Sequence, residues 1–180
     1  MTTTQQNSTS NKSAVFLTGH PGVGKTTIIQ HIIDRLDIPV GGFYTRELRQ
    51  DSHRIGFEVV TLEGQTAVLA TTQTQTFSRP AQFGRYTVDL DAIDRVAVQA
   101  LHKAWQNGHL IIVDEIGPME ILSQKFCVTI WELLNSGAEI LGTIVERPYP
   151  FADDIKKHPA TDLVLVTVEN RDSLPITLMK

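Results

Sequence analysis

The chain has 180 residues, 41% of them hydrophobic, with 16 Lys and Arg against 20 Asp and Glu and a formal net charge of −4. This is enough apolar material for one sizeable core, and the acidic balance argues against nucleic acid as an electrostatically captured partner. A single cysteine, Cys127, excludes an intramolecular disulfide and a thiolate metal cluster. No apolar run reaches membrane-spanning length and no signal-peptide core is present, so a cytoplasmic protein with no membrane partner is expected. The oligomeric state stays open, a monomer being slightly favoured.

Residues 1–12 are rich in Thr, Gln, Asn and Ser. They predict a disordered tail ahead of a single domain over 13–180. Ala14–Leu17 reads as a strand. It runs into Gly19-His20-Pro21-Gly22-Val23-Gly24-Lys25-Thr26-Thr27, which fits the Walker A pattern G-x-x-x-x-G-K-[ST]. Ile28, Ile29, Ile32, Ile33 and Leu36 then recur with helical period. Beyond Pro39, Gly41–Thr45 reads as a second strand. Ile55, Phe57, Val59 and Thr61 alternate as in a half-buried strand, and after the Glu63-Gly64 turn Thr66–Ala70 returns as an antiparallel partner. Thr71–Arg85 is polar, carries Pro80 and Gly84, and reads as a long loop.

Tyr86–Val88 is a short extended piece. Asp89 is placed to cap a helix whose stripe runs from Ile93 to Ala104 and ends near Asn107-Gly108. His109–Val113 is a continuous apolar run of the kind buried on both faces of a parallel sheet, and it ends in Asp114-Glu115. Ser123 and Gly137 bracket the next helix. Ile140–Val145 is another buried strand, Phe151–His158 a short helix, and Leu163–Val168 the last strand before Glu169-Asn170-Arg171-Asp172 and a short tail. This alternation predicts an α/β domain. Its sheet is mainly parallel, with an antiparallel hairpin at one edge.

The motifs carry a consistent chemistry. Gly19, Gly22 and Gly24 let main-chain N–H groups approach an anion, and the helix that follows points its positive end at the same place. Lys25 suits the outer phosphates, and the Thr26 hydroxyl suits Mg²⁺. In an open parallel sheet, ligands gather at the carboxyl ends of the strands. Asp114 at such an end fits a Walker B metal partner opposite Thr26, and Glu115 fits a base that orients and deprotonates water. By the same rule Asn170 and Arg171 lie on the ligand side, suited to pairing with and stacking on a nucleobase. Arg46, Arg54, Arg79, Arg85 and Arg147 fall near loops or strand ends, and any of them could meet a terminal phosphate. His20 shows no metal-ligand spacing and is expected to face solvent.

With these residues in view, the chain resembles the nucleoside-triphosphatases of the THEP type, which include the cancer-related nucleoside-triphosphatase. The matching pieces run from about Val15 to Arg171. They include Leu17-Thr18-Gly19 through Thr27, Gly42-Phe43-Tyr44-Thr45 with Glu47, Arg54-Ile55-Gly56-Phe57 and Tyr86-Thr87-Val88-Asp89. Further on come Asp114-Glu115-Ile116-Gly117 with Met119-Glu120, Leu141-Gly142-Thr143, and Val166-Thr167 with Glu169-Asn170-Arg171. The resemblance implies a Mg²⁺-dependent enzyme that hydrolyses ATP, GTP and other nucleoside triphosphates to diphosphate and phosphate, slowly and with little base selectivity. It also implies a nucleotide-kinase-like P-loop fold, an α/β domain of the three-layer P-loop NTPase type. One position departs: the family often has Lys where this chain has Pro118.

Two other readings share these motifs. A small-molecule or nucleotide kinase would use the same fold. It would need an acceptor pocket, which the sequence does not identify, and an Arg-rich lid, for which Val145–His158 offers only Arg147, Lys156 and Lys157. A nucleotide-dependent binding switch would show an exposed partner-binding segment, and none is evident.

Overall fold

A computed structural model of the chain describes residues 12–179. All of the expected N-terminal tail except Lys12 lies outside the described residues. In chain order the elements are β1 (Ala14–Thr18), α1 (Lys25–Ile33), β2 (Val40–Gln50), β3 (His53–Thr61), β4 (Thr66–Thr71), β5 (Pro80–Phe83) and β6 (Tyr86–Asp89). A short α2 (Leu90–Ala92) runs through a π-helical turn (Ile93–Ala97) into α3 (Val98–Gln106). Then come β7 (Leu110–Ile116), a 3₁₀ turn (Glu120–Leu122), α4 (Gln124–Ser136), β8 (Ile140–Ile144), α5 (Pro150–Lys156), β9 (Thr161–Leu165) and α6 (Leu174–Leu178).

The strands form one nine-stranded sheet in the order β5-β6-β4-β3-β2-β7-β8-β1-β9. β2, β7, β8, β1 and β9 are parallel neighbours, while β2, β3, β4, β6 and β5 pair antiparallel. β2 belongs to both halves: Val40–Tyr44 pair with β7, and Phe43 onward pairs with β3.

The parallel strands are apolar along their length because both faces are covered. Phe16, Ile111 and Val113 point to one face, packed with Phe43, Phe126 and Ile130. Their neighbours Leu17 and Ile112 point to the other, packed with Ile28, Ile29 and Ile32 of α1. That alternation is the two-residue period of a strand. The caps expected for the helices are present: the Phe126 N–H donates to Ser123 Oγ at 3.1 Å, and the Asp91 N–H donates to Asp89 Oδ1 at 3.0 Å.

Three elements differ from the sequence expectation. The antiparallel part extends beyond a single hairpin to a five-strand ribbon. Residues 80–83, expected within a loop, form the edge strand β5. Its Phe83 pairs with Tyr86 across a tight turn, and Pro80 stands at the first position, where an edge strand tolerates it. The tail after Asp172 is helical as α6. Its Pro175 presets the backbone for a helical first turn, and Leu174 is buried against the α1 side of the sheet. Among the described residues no helix is long and apolar enough to cross a membrane.

Candidate active site

The site lies at the carboxyl ends of the parallel strands. β1 ends in the loop Gly19–Gly24, which turns directly into α1. Gly24 stands at the α1 N-cap in the left-handed region, and no side chain caps the first turn. The leading N–H groups of α1 therefore point at the loop with the helix dipole behind them, about half an elementary charge at that end. Gly19, at φ +142, admits no side chain, because a Cβ there would stand 2.5 Å from the Val166 carbonyl oxygen. Lys25 Nζ donates to the carbonyl oxygens of Gly19 at 2.7 Å and His20 at 3.4 Å, across the mouth of the loop. The His20 side chain is exposed, 3.8 Å from Glu146.

β7 delivers the carboxylates. Val113 pairs with Gly142 of β8, but the next matched pair is Ile116 with Ile144. Between these pairs β7 carries Asp114 and Glu115 where β8 carries only Thr143, so β7 is bulged there. The Asp114–Glu115 peptide is cis. Consecutive residues of a regular strand face opposite sides, and a bulge re-aims one of them. Both carboxylates accordingly sense the Lys25 charge.

Asp114 is buried. The Thr143 hydroxyl donates to its Oδ1 at 2.5 Å, whereas Oδ2 has no hydrogen-bond partner among the described residues. Burial raises its pKa, and the Thr143 and Thr26 hydroxyls and the Lys25 ammonium oppose that rise. A buried carboxylate oxygen without a donor is the kind of group that a cation satisfies. Among the described residues no group of three or more His, Cys, Asp or Glu is arranged to hold a metal. A cation at Asp114 would therefore share its ligands with hydroxyl and phosphate oxygens, which is how Mg²⁺ is commonly held.

Glu115 is half-buried, and its pKa is raised by burial and by Asp114 while Lys25 draws it down. A third carboxylate, Glu120, comes from the 3₁₀ turn. It is 5% exposed, and burial together with the Glu115 and Asp114 charges pushes its pKa up to about 8. Gly117 lets the two Glu side chains approach: a Cβ there would stand 2.5 Å from Glu115 Oε1 and 2.7 Å from Glu120 Oε2. In the sequence Glu120 stands out only as part of the Met119-Glu120 piece of the family resemblance, which assigns it no role. Its signal was a charged residue inside an otherwise apolar segment.

On the β9 side, the Asn170 side chain is engaged within its own loop. Its Oδ1 accepts the Thr167 N–H at 2.8 Å and its Nδ2 donates to the Leu165 carbonyl at 2.8 Å. Arg171 reaches the phosphate loop, with Nη1 3.5 Å from the Val23 carbonyl oxygen. On the other side of the loop a cavity of about 710 Å³ opens from Lys25, Thr26 and Thr27 past Glu115 to the antiparallel ribbon. Pro118 stands in its wall.

The five candidate arginines separate here. Arg46 is held by Glu58 at 2.7 Å, Arg54 by Glu47 at 3.2 Å, and Arg79 by Asp94 at 2.5 Å. Arg85 donates to the Arg54 carbonyl and the Tyr86 hydroxyl. Arg147, in the β8–α5 connection, has no such partner among the described residues. It lines both the large cavity and a neighbouring one shared by Gly19, His20, Lys25 and Glu115.

The sequence model of a family described as NTPase matches residues 14–179. The chain belongs to the NTPase family. Among NTPase relatives, the chain is 39% identical over 160 residues to "Nucleoside-triphosphatase THEP1" of a Thermotoga species, covering 89% of this chain and 90% of that one. It is 38% identical over 173 residues to the human "Cancer-related nucleoside-triphosphatase", covering 89% and 91%. The crystal structure of THEP1 from Aquifex aeolicus superposes with a TM-score of 0.80 at 31% identity, covering 92% of this chain and 95% of that one. The NTPase architecture, mostly parallel at its core with antiparallel edge strands, is thus common to both.

Proposed function

We propose that this chain, whose relatives are named nucleoside-triphosphatases, hydrolyses nucleoside triphosphates to nucleoside diphosphate and phosphate and uses Mg²⁺ to do so. The observation that carries the reading is Asp114 Oδ2, buried without a partner beside Lys25 and Thr26 at the mouth of an uncapped helix N-terminus. Phosphoryl transfer asks for that combination: N–H groups and a Lys for the phosphates, and a hydroxyl and a carboxylate for Mg²⁺. Thr26 and Asp114 would hold the ion, which neutralises charge on the outer phosphates when bound. The loop from Gly19 to Thr27 cradles the phosphates, and Lys25 meets the outer ones. Glu115 orients the attacking water and takes its proton. Arg147, on the rim of both cavities, supplies the cation for the transferring phosphoryl group.

Base selectivity is expected to be weak. Arg171 offers a stacking plane, and the Asn170 amide is already engaged in its own loop. Stacking tolerates any base, so kcat/KM for ATP, GTP, CTP and UTP should agree within about tenfold. Turnover is expected below about 1 s⁻¹, since P-loop enzymes without an added arginine finger run at about 10⁻⁴–10⁻² s⁻¹. The test is phosphate release from each triphosphate by purified protein, with Mg²⁺ and with chelator. Release that chelator abolishes supports the reading, and no release from any of the four overturns it.

A further inference from the structure

The hydrolytic site occupies one end of the cavity and leaves the other end unexplained. A volume of about 710 Å³ is in the range of small-molecule sites, and a terminal phosphate group with an attacking water fills a small part of it. The far end is built from the antiparallel ribbon. Phe57 and Tyr86 lie with ring centroids 5.4 Å apart, and the guanidinium of Arg54 stands 5.4 Å over the Phe57 ring. Leu69 and Phe83 complete an apolar wall, and Thr45 and Glu47 bring polar groups to its edge.

This end is not where the triphosphate's own base belongs. In the sheet order, β9 lies on one side of β1, with the Arg171 loop against Val23. β8, β7 and β2 lie on the other, with the ribbon beyond them. A triphosphate seated in the loop with its base toward Arg171 turns its terminal phosphate toward Glu115, and so toward the ribbon. The aromatic end therefore faces the transferring group from the side opposite the nucleoside that carries it.

We propose that the ribbon end of the cavity is an acceptor pocket for a second, neutral nucleoside, whose hydroxyl takes the terminal phosphoryl group in place of water. Phe57 and Tyr86, inclined at 59° to each other, offer a base apolar ring surface to pack against, and the same cavity reaches Glu115, where the acceptor hydroxyl must arrive. The cations that line the cavity favour a nucleoside over a nucleotide: Lys25 and Arg147 are assigned above to the triphosphate and Arg54 is paired with Glu47, so no lining cation is left for an acceptor phosphate. Arg85, over the Tyr86 ring, is engaged by the Arg54 carbonyl and the Tyr86 hydroxyl. In the transfer, the acceptor oxygen bonds to the γ-phosphorus as the bond from that phosphorus to the β–γ bridging oxygen breaks. The hydroxyl proton passes to Glu115, and the products are a nucleoside monophosphate and a nucleoside diphosphate.

This inference rests on the hydrolytic reading of Lys25, Asp114 and Glu115, and the test separates the two. ATP labelled at the γ-phosphate is incubated with the full chain, Mg²⁺ and, in turn, adenosine, guanosine, cytidine, uridine and thymidine. Free phosphate and nucleoside monophosphate are counted in the same sample. Label in a monophosphate supports the acceptor pocket. Free phosphate with no labelled monophosphate from any nucleoside overturns it and leaves hydrolysis standing. Absence of both products overturns both readings.

Binding gives a second readout. An accepted nucleoside should still bind, by ligand-observed NMR, to protein saturated with a non-hydrolysable ATP analogue; displacement by the analogue would put the analogue's own base in the cavity and overturn the proposal. Base–aromatic stacking is commonly worth enough that Phe57→Ala should lower the ratio of monophosphate to free phosphate by about tenfold. Arg54→Met, on a partly exposed side chain, should lower the same ratio without removing the ring. An unchanged ratio in both variants overturns the pocket.

Discussion

The parallel and antiparallel halves of this sheet treat charge in opposite ways. On β2 and β3 of the ribbon the arginines are matched by carboxylates: Arg46 with Glu58, Arg54 with Glu47, Arg49 also with Glu47. At the carboxyl ends of the parallel strands they are left open. Asp114 Oδ2 has no partner, Glu120 is a buried acid with its pKa near 8, and Arg147 has no carboxylate among the described residues. Unmatched buried polar groups cost stability. The Asp114 oxygen is such a group, and under the proposed function a ligand at this end of the sheet completes it.

The sharpest break of this contrast is at the open end. Glu115→Gln keeps size and hydrogen bonding but removes the base, and should lower kcat by about 10²–10⁴-fold with nucleotide affinity nearly intact. Steady-state phosphate release and calorimetric titration with an ATP analogue check the two parts. Lys25→Ala should instead lose affinity in that titration, because the charge that meets the outer phosphates is gone.

A comparison of two arginines tests the contrast directly. Arg147→Ala removes the cation proposed for the transferring phosphoryl group, and kcat should fall about 10²–10³-fold. Arg46→Ala breaks an exposed ion pair of a kind that contributes little, and kcat should stay within about twofold. Equal effects of the two variants would erase the distinction between the halves.

The smallest effect probes a buried carboxylate that is matched. Asp94 accepts from Arg79 at 2.5 Å and from the Ser123 hydroxyl that caps α4. Burial pushes its pKa up, but Ser123 and Arg79 outweigh this and hold it below the usual range. A lowered folded-state pKa stabilises the fold above the unfolded value of about 3.9, and that contribution is lost as pH falls through the lower folded value. Asp94→Asn should therefore cost about 1–2 kcal/mol near neutral pH. The difference in Tm from wild type should shrink below about pH 4. Thermal melts across pH measure it.

How much of the site was legible in sequence follows the same division. The phosphate loop was readable because its requirements are contiguous: glycines at fixed spacing, then Lys-Thr at a helix start. Asp114 was readable because an apolar run of strand length ends in an acid. Glu120 was not, since its burial depends on Gly117 admitting two carboxylates. Arg147 could not be told from Arg46, Arg54, Arg79 and Arg85, because which of them finds a partner depends on how β2 pairs with β3 and how neighbouring elements pack, not on any local pattern around each arginine.

The sequence by itself determined the strand–loop–helix of the Walker A pattern, the acid pair at a strand end, the capped helices and the α/β class. Each follows from local periodicity or from residues adjacent in the chain. Tertiary structure alone decided the β7 bulge that brings both Asp114 and Glu115 toward Lys25, and the ribbon that encloses the aromatic end of the cavity. It also decided the edge strand β5 and the helix α6. Those features depend on which strands become neighbours, and a β8 register offset by one residue or a Phe57–Tyr86 contact leaves no periodic trace in either segment.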